Sequence, residues 1–383
     1  MTLDEILHNE ALRQHEFPVT RETIFLGHAG VCPLPRRVAE AMRQYAEEST
    51  KSDQEVVLPE AQIQQARQMA GRVLGVLPEE IAFVGPTSLG LNYIASGLPF
   101  RKNDNIVIYF DDYPSNVYPW TALAQQGVQV RLLGVRELGR IRPIDVEAQV
   151  DENTRLVALG SCHFVSGWRI DLEAIGKFLR ERNIAFCVDG IQAAGAFPSA
   201  AAHSDFFAAD GHKWLLGPCA AGILVVRKAW QDIVKPAVYG WHNVRCPNYI
   251  AQEEIVFRKD ARRYEVGTNN LIGLVGLAAA LELLLEIGIE NISRELLRKR
   301  QWLVPALQAK GYTVLNADAP AQNASAIISF FRPEADMASL HPRLTEARIV
   351  TSLRADRFGN KYIRLSPHFY NTDAELQRVL ELL

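Results

Sequence analysis

Short apolar runs that end in a polar residue or a glycine recur through the first two thirds of the chain. Ile24 to Gly27, Ile81 to Gly85, Asn105 to Phe110, Val128 to Leu133, Arg155 to Leu159, Ile184 to Val188, Phe206 to Ala209 and Ala221 to Val226 each read as a strand. Runs that are apolar without alternation predict strands buried on both faces, as in a parallel sheet. Between them, amphipathic spacing predicts helices over residues 1–17, 36–48, 60–74 and 171–182, and another opening at Thr87. Strands alternating with helices predict an α/β fold.

The texture changes after Val226. Residues 238–265 carry Gly240, Trp241, His242, Cys246 and Pro247 among mixed charges, a loop composition, and long ordered loops tend to be functional. An apolar helix over residues 271–285 is interrupted by Glu282 and is short for a bilayer span. A helix over 291–310 then leads into a smaller α+β portion, with strands at 312–315, 324–331, 349–353 and 362–365 and helices at 335–348 and from Thr372. The expected organisation is a large domain over 18–260, a connecting segment over 261–269, and a discontinuous small domain joining 1–17 to 270–383.

Composition narrows the function. At 383 residues, 48% hydrophobic and 22% charged, the chain has the make-up of a globular protein with a substantial core. A net charge of −3 gives no broad electrostatic reason to expect nucleic acid or a membrane surface as partner, so small molecules become the default. The five cysteines, Cys32, Cys162, Cys187, Cys219 and Cys246, are scattered and show no Cys-x-x-Cys spacing, which argues against a disulfide framework or a metal site. The mixed, acidic N-terminus has no signal-like apolar segment, and a cytoplasmic location is expected.

The candidate chemistry gathers where strands end, the place where ligands collect in open α/β sheets. One run ends at Asp189 and the next at Asp210, and Lys213 follows Asp189 by 24 residues, a spacing that suits neighbouring strands. A carboxylate and a lysine on one small ligand fit pyridoxal phosphate: the amine forms a Schiff base with the aldehyde, and the acid keeps the ring nitrogen protonated. An ordinary buried ion pair is the plainer alternative. Gln192 is placed to bond the ring hydroxyl, and His212 to reach the phosphate or tune the amine. The turn from the 81–85 run into Thr87 and Ser88 is a candidate phosphate cradle, because a helix start offers free N–H groups; alone it reads equally as a helix cap.

Asp-Gly-x-Gln at Asp189–Gln192 followed by Asp-Gly-His-Lys-Trp at Asp210–Trp214 resembles the class V aminotransferase superfamily, which includes cysteine desulfurases, cystine lyase and isopenicillin N epimerase. The resemblance implies fold type I, with a large domain around a mostly parallel seven-stranded sheet and a smaller α+β domain. It also implies pyridoxal 5'-phosphate as cofactor, a small amino acid as substrate, and a homodimer with shared active sites. Lys213 would be the Schiff-base residue and Asp189 its catalytic acid partner, with cofactor contacts from Thr87, Ser88, Gln192, Asp210 and His212. Tyr113 stands where desulfurases carry a ring-stacking histidine, and Gly267 and Thr268 match a segment that reaches the partner's phosphate, or else form a simple helix cap. His28 and Ala29 match substrate-side positions, although a strand-end histidine satisfied by backbone fits His28 equally. Whether His163 or Phe164 faces the cofactor stays open. Arg364 matches the arginine that binds the substrate carboxylate, and Arg354 a second arginine of the cystine lyase branch.

Residues 349–364 contain no cysteine where desulfurases carry their nucleophile. The expected reaction is therefore β-elimination from a cysteine- or cystine-like substrate without an enzyme thiol. Transamination, epimerisation and a non-catalytic cofactor-binding role are the alternatives.

Overall fold

The computed structural model describes residues 1–383. After a short strand β1 (Ile24–Phe25), seven strands form the central sheet: β2 (Ile81–Val84), β3 (Asn105–Ile108), β4 (Gln129–Leu132), β5 (Thr154–Gly160), β6 (Ala185–Asp189), β7 (Phe206–Asp210) and β8 (Gly222–Val226). Their order is β2-β8-β7-β6-β5-β3-β4, and β8 alone runs antiparallel to its two neighbours. The unbroken apolar runs have a direct cause. Alternate residues enter two separate cores: Val157, Phe186, Val188, Phe207 and Val225 on one face, Leu156, Ala185, Cys187, Phe206 and Leu224 on the other. A strand covered on both sides has no position for a polar side chain until it ends.

Helices Arg36–Glu48, Glu60–Leu74 and Leu271–Ile287 pack together over the first face, and Thr87–Gly97 covers the second. Helix Leu271–Ile287, expected to open the small domain, packs against the core of the central sheet. Leu274, Leu277, Leu281 and Leu284 share the sheet's core, and the chain turns by 75° only at Gly288, whose φ of 87° lies in the left-handed region where a side chain is strained. The N-terminal segment is two helices, Leu3–His8 and Glu10–Glu16, divided at Asn9, which ends the first and caps the second.

Beyond Gly288, helix Ile289–Ala309 leads to β9 (Thr313–Val314), β10 (Ile328–Phe331), β11 (Ile349–Val350), β12 (Ser352–Ala355) and β13 (Lys361–Leu365). A four-stranded antiparallel sheet of order β12-β13-β10-β9 builds its own core, while β11 pairs in parallel with β1. Residues 24–25, expected within the large domain, thus hydrogen-bond to the C-terminal part. No single helix is long and apolar enough to cross a membrane.

Candidate active site

Asp189 closes β6 and Lys213 follows β7 by three residues, so the parallel pairing of these neighbours brings both to one end of the sheet. There they line a cleft of about 260 Å³. Lys213 is 7% exposed, with Nζ 5.3 Å from the Tyr113 ring centroid. Burial pulls its pKa down to about 8, against the opposing pull of Asp189. Burial, then Asp112, pushes Asp189 up to about 7, and Lys213 draws it back. The only donor to the Asp189 carboxylate is the Ile191 amide at 3.2 Å, which leaves acceptor capacity for a cationic ring nitrogen.

At one end of the cleft, helix Thr87–Gly97 begins behind Pro86 with no side-chain cap, and the Thr87 and Ser88 amides donate to no group of the chain. Ser88 shares a 2.7 Å hydroxyl bond with Ser115, which also lines the cleft. His212 joins them, its Nδ1 bonded to Asp210 at 2.8 Å and its Nε2 free. Free helix-start amides, hydroxyls and an imidazole make a cradle for a phosphate.

The opposite wall comes from the second sheet. Register pairs Ser352 with Arg364 and Arg354 with Tyr362, which places the two arginines diagonally on one face. Arg364, 1% exposed, donates to the Phe164 carbonyl at 2.6 Å and to Ser352 at 3.2 Å. The buried Nε atoms of both Arg354 and Arg364 have no partner, and no acid pairs with either guanidinium. Burial, and then Arg354, lower the Arg364 pKa to about 9. Two uncompensated guanidinium groups on the wall of a cleft form a receptor for a carboxylate.

The arrangement suits pyridoxal phosphate from ring nitrogen to phosphate, and residues 24–379 match the family described as Aminotransferase class-V. The chain belongs to the class V aminotransferase family. Its relatives include a probable cysteine desulfurase of Methanothermobacter thermautotrophicus, 28% identical over 97% of this chain and 96% of that protein. A cysteine desulfurase of Shigella sonnei is 32% identical over 56% and 54% of the two chains. Among solved structures, the apo cysteine desulfurase from Thermococcus onnurineus NA1 superposes with a TM-score of 0.88 at 24% identity, covering 98% of this chain and 96% of that one. The cystine C–S lyase C-DES in complex with cysteine persulfide gives a TM-score of 0.85 at 23% identity over 95% and 98%. These likenesses show the same fold, and this class V family member is a pyridoxal 5'-phosphate-dependent enzyme.

Several residues expected in the site of this family member lie elsewhere. His28 is fully buried behind the cleft, its Nδ1 donating to the Ser366 carbonyl at 2.9 Å and its Nε2 accepting from the Tyr370 hydroxyl at 2.7 Å. Burial lowers its pKa to about 4, so it is a neutral packing residue; Ala29 lines the cleft instead. His163 also points away, with Nε2 on the Asp111 carbonyl at 3.0 Å and Nδ1 accepting from the Ser166 amide, whereas Phe164 faces the cleft and meets Tyr113 edge-on at 5.3 Å. Asp210 turns back to accept from the Gly211, Ala220 and Ala221 amides and from His212, so it can reach a cofactor only through His212. Gly267 and Thr268, expected to reach the phosphate of a second subunit rather than their own cleft, line a separate cavity of about 410 Å³ with Trp241 and His242.

The sequence reading missed Ser115, Ile191, Gly30 and Val31 on the cleft wall. Ser115 lies two residues past Tyr113 on the same turn, a position that could have flagged it. The segment holding the nucleophile in desulfurases is here a tight turn between β12 and β13. Asp356 organises it by accepting from the Phe358 and Asn360 amides and the Tyr362 hydroxyl, and Arg357 bridges to Asp111 and lies 4.7 Å over the Phe110 ring. No cysteine lines the cleft.

Proposed function

We propose that this chain is a pyridoxal phosphate-dependent C–S lyase that removes the β-substituent from a cysteine- or cystine-like amino acid without a thiol of its own. One observation carries the reading: a pair of arginines without counter-ions faces Lys213 across a cleft whose walls hold no cysteine. The names of the relatives, cysteine desulfurase and cystine C–S lyase, support sulfur amino acids as the substrate class.

When bound, the cofactor supplies a sink for the electron pair left on the substrate α-carbon. The Thr87 and Ser88 amides, Ser88 and His212 would hold its phosphate, with Tyr113 on the cleft wall available to cover the ring. Asp189 would keep a proton on the ring nitrogen, and Gln192 would meet the ring oxygen. Arg364 and Arg354 grip the substrate carboxylate and so aim the α-hydrogen. Lys213 Nζ, made a weaker base by burial, takes the α-proton and hands a proton to the departing sulfur. Tyr113 carries no imidazole to share this work, so one amine serves both transfers.

We also infer a cytoplasmic homodimer in which the second copy covers the cleft. Tyr239, Tyr249, Ile250 and Ile255 in residues 238–258 are exposed large hydrophobics, and Gly267 and Thr268 line a cavity with Trp241 and His242 of the same segment. The large unit extends to about residue 288, with the small unit beyond it.

The test is product analysis with cysteine and cystine. Pyruvate and ammonia, with sulfide from cysteine or cysteine persulfide from cystine, are expected from wild type and are lost in Lys213→Ala. A keto acid formed only with an amino acceptor would replace this reading by transamination, altered chirality alone by epimerisation, and no turnover of any amino acid by a binding protein.

A further inference from the structure

Gln192 is held from two sides by groups whose polarity is set by their chemistry. The Trp214 indole Nε1 lies 2.9 Å from one amide atom of Gln192, and the Ala29 carbonyl oxygen lies 3.0 Å from the other. An indole N–H can only donate and a carbonyl can only accept, so the first atom is Oε1 and the second Nε2. Flipping the amide would set N–H against N–H and oxygen against oxygen. Ala29, Gln192 and Trp214 are all buried, so water does not replace the lost bonds.

The indole is itself fixed. Its ring packs against the touching pair His28 and His368, at centroid distances of 6.3 and 5.5 Å, and the Trp214 carbonyl accepts from His368 Nε2 at 3.1 Å. Gln192 lines the cleft beside Asp189 and Lys213 with one N–H of its amide unspent.

We propose that Trp214 is a positioning residue which, with the Ala29 carbonyl, locks Gln192 so that its remaining N–H is offered to the ring oxygen of the cofactor and holds that oxygen anionic. The inference rests on the pyridoxal phosphate reading and on Gln192 meeting the ring oxygen. A donor placed on an oxygen favours its charged form. With that donor gone, the oxygen is more basic, and the proton it shares with the neighbouring nitrogen is retained to higher pH.

The measurement is the pH midpoint of the visible absorption of the loaded enzyme, in wild type, Trp214→Phe, Gln192→Ala and the double variant. Each single substitution is expected to raise the midpoint by about one pH unit, the scale of one hydrogen bond to a charged group. The double variant should move no further than Gln192→Ala. A midpoint unchanged in cofactor-loaded Trp214→Phe, or one shifted equally in the Gln192→Ala background, overturns the proposal. A second measurement needs neither cofactor nor the tryptophan variant: of the six indole N–H resonances of 15N-labelled protein, one should move on Gln192→Ala. If none moves, there is no lock. Colourless wild-type protein would overturn the cofactor reading instead, and the indole spectrum would still decide the contact.

Discussion

Arg364 sets function against stability, and replacing it with methionine should expose the conflict. The guanidinium is 1% exposed, has no acid partner, and satisfies itself only with the Phe164 carbonyl and the Ser352 hydroxyl. Burial and Arg354 lower its pKa from the ordinary arginine value to about 9. A base whose folded pKa lies below its unfolded value destabilises the fold at every pH where it is charged in the unfolded chain, so the cost is fully present at neutral pH. At about 1.4 kcal/mol per pH unit, that drop is worth up to about 5 kcal/mol. Losing the two hydrogen bonds and leaving their partners unmet returns about 2–4 kcal/mol. Arg364→Met should therefore leave the cofactor-free protein as stable as wild type or up to about 3 kcal/mol more stable, read as an unchanged or higher midpoint in urea. The same substitution should reduce kcat/KM by roughly 100-fold or more, since a charge-assisted grip on a carboxylate is worth about 3 kcal/mol. A simple carboxylate such as acetate, added at high concentration, should raise the melting temperature of wild type and not of the variant. Destabilisation by more than 1 kcal/mol together with unaltered kcat/KM would refute this account of the residue.

Asp189 offers a related test with the opposite charge. Its folded pKa of about 7 lies above the ordinary aspartate value of 3.8, so the folded state holds the proton longer and cofactor-free stability should fall as pH rises between those values. Asp189→Asn should flatten that slope in thermal melts and weaken cofactor binding. Arg357→Ala removes a half-exposed contact with Asp111 and should cost at most about 1 kcal/mol. It should also speed tryptic cleavage at Lys361, followed by mass spectrometry, because the turn then loses its tether to Phe110 and Asp111. Gly190→Ala would place a Cβ 1.8 Å from the Phe207 ring, a clash in the middle of the core; soluble expression and denaturant unfolding should show a loss of about 3 kcal/mol or more.

The central sheet was legible in the sequence because its inner strands are covered on both faces and so read as unbroken apolar runs, ending where the backbone emerges at Asp189 or Asp210. Lys213, Asp189, Gln192 and the Thr87–Ser88 turn lie within a few residues of such ends, so local pattern was enough to nominate them. Tertiary structure alone decided which neighbouring side chains turn inward. His28 is consumed by Ser366 and Tyr370, more than 300 residues away in the chain, and no local signal carries that information. Phe164 rather than His163 faces the cleft because the histidine's two nitrogens are taken up by Asp111 and Ser166. Arg354 and Arg364 became a pair through the register of β12 on β13, and the helix over 271–287 joined the larger core through its packing on Arg36–Glu48 and Glu60–Leu74. Periodicity records how deeply an element is buried, whereas the direction of a polar side chain depends on partners that only folding brings within reach.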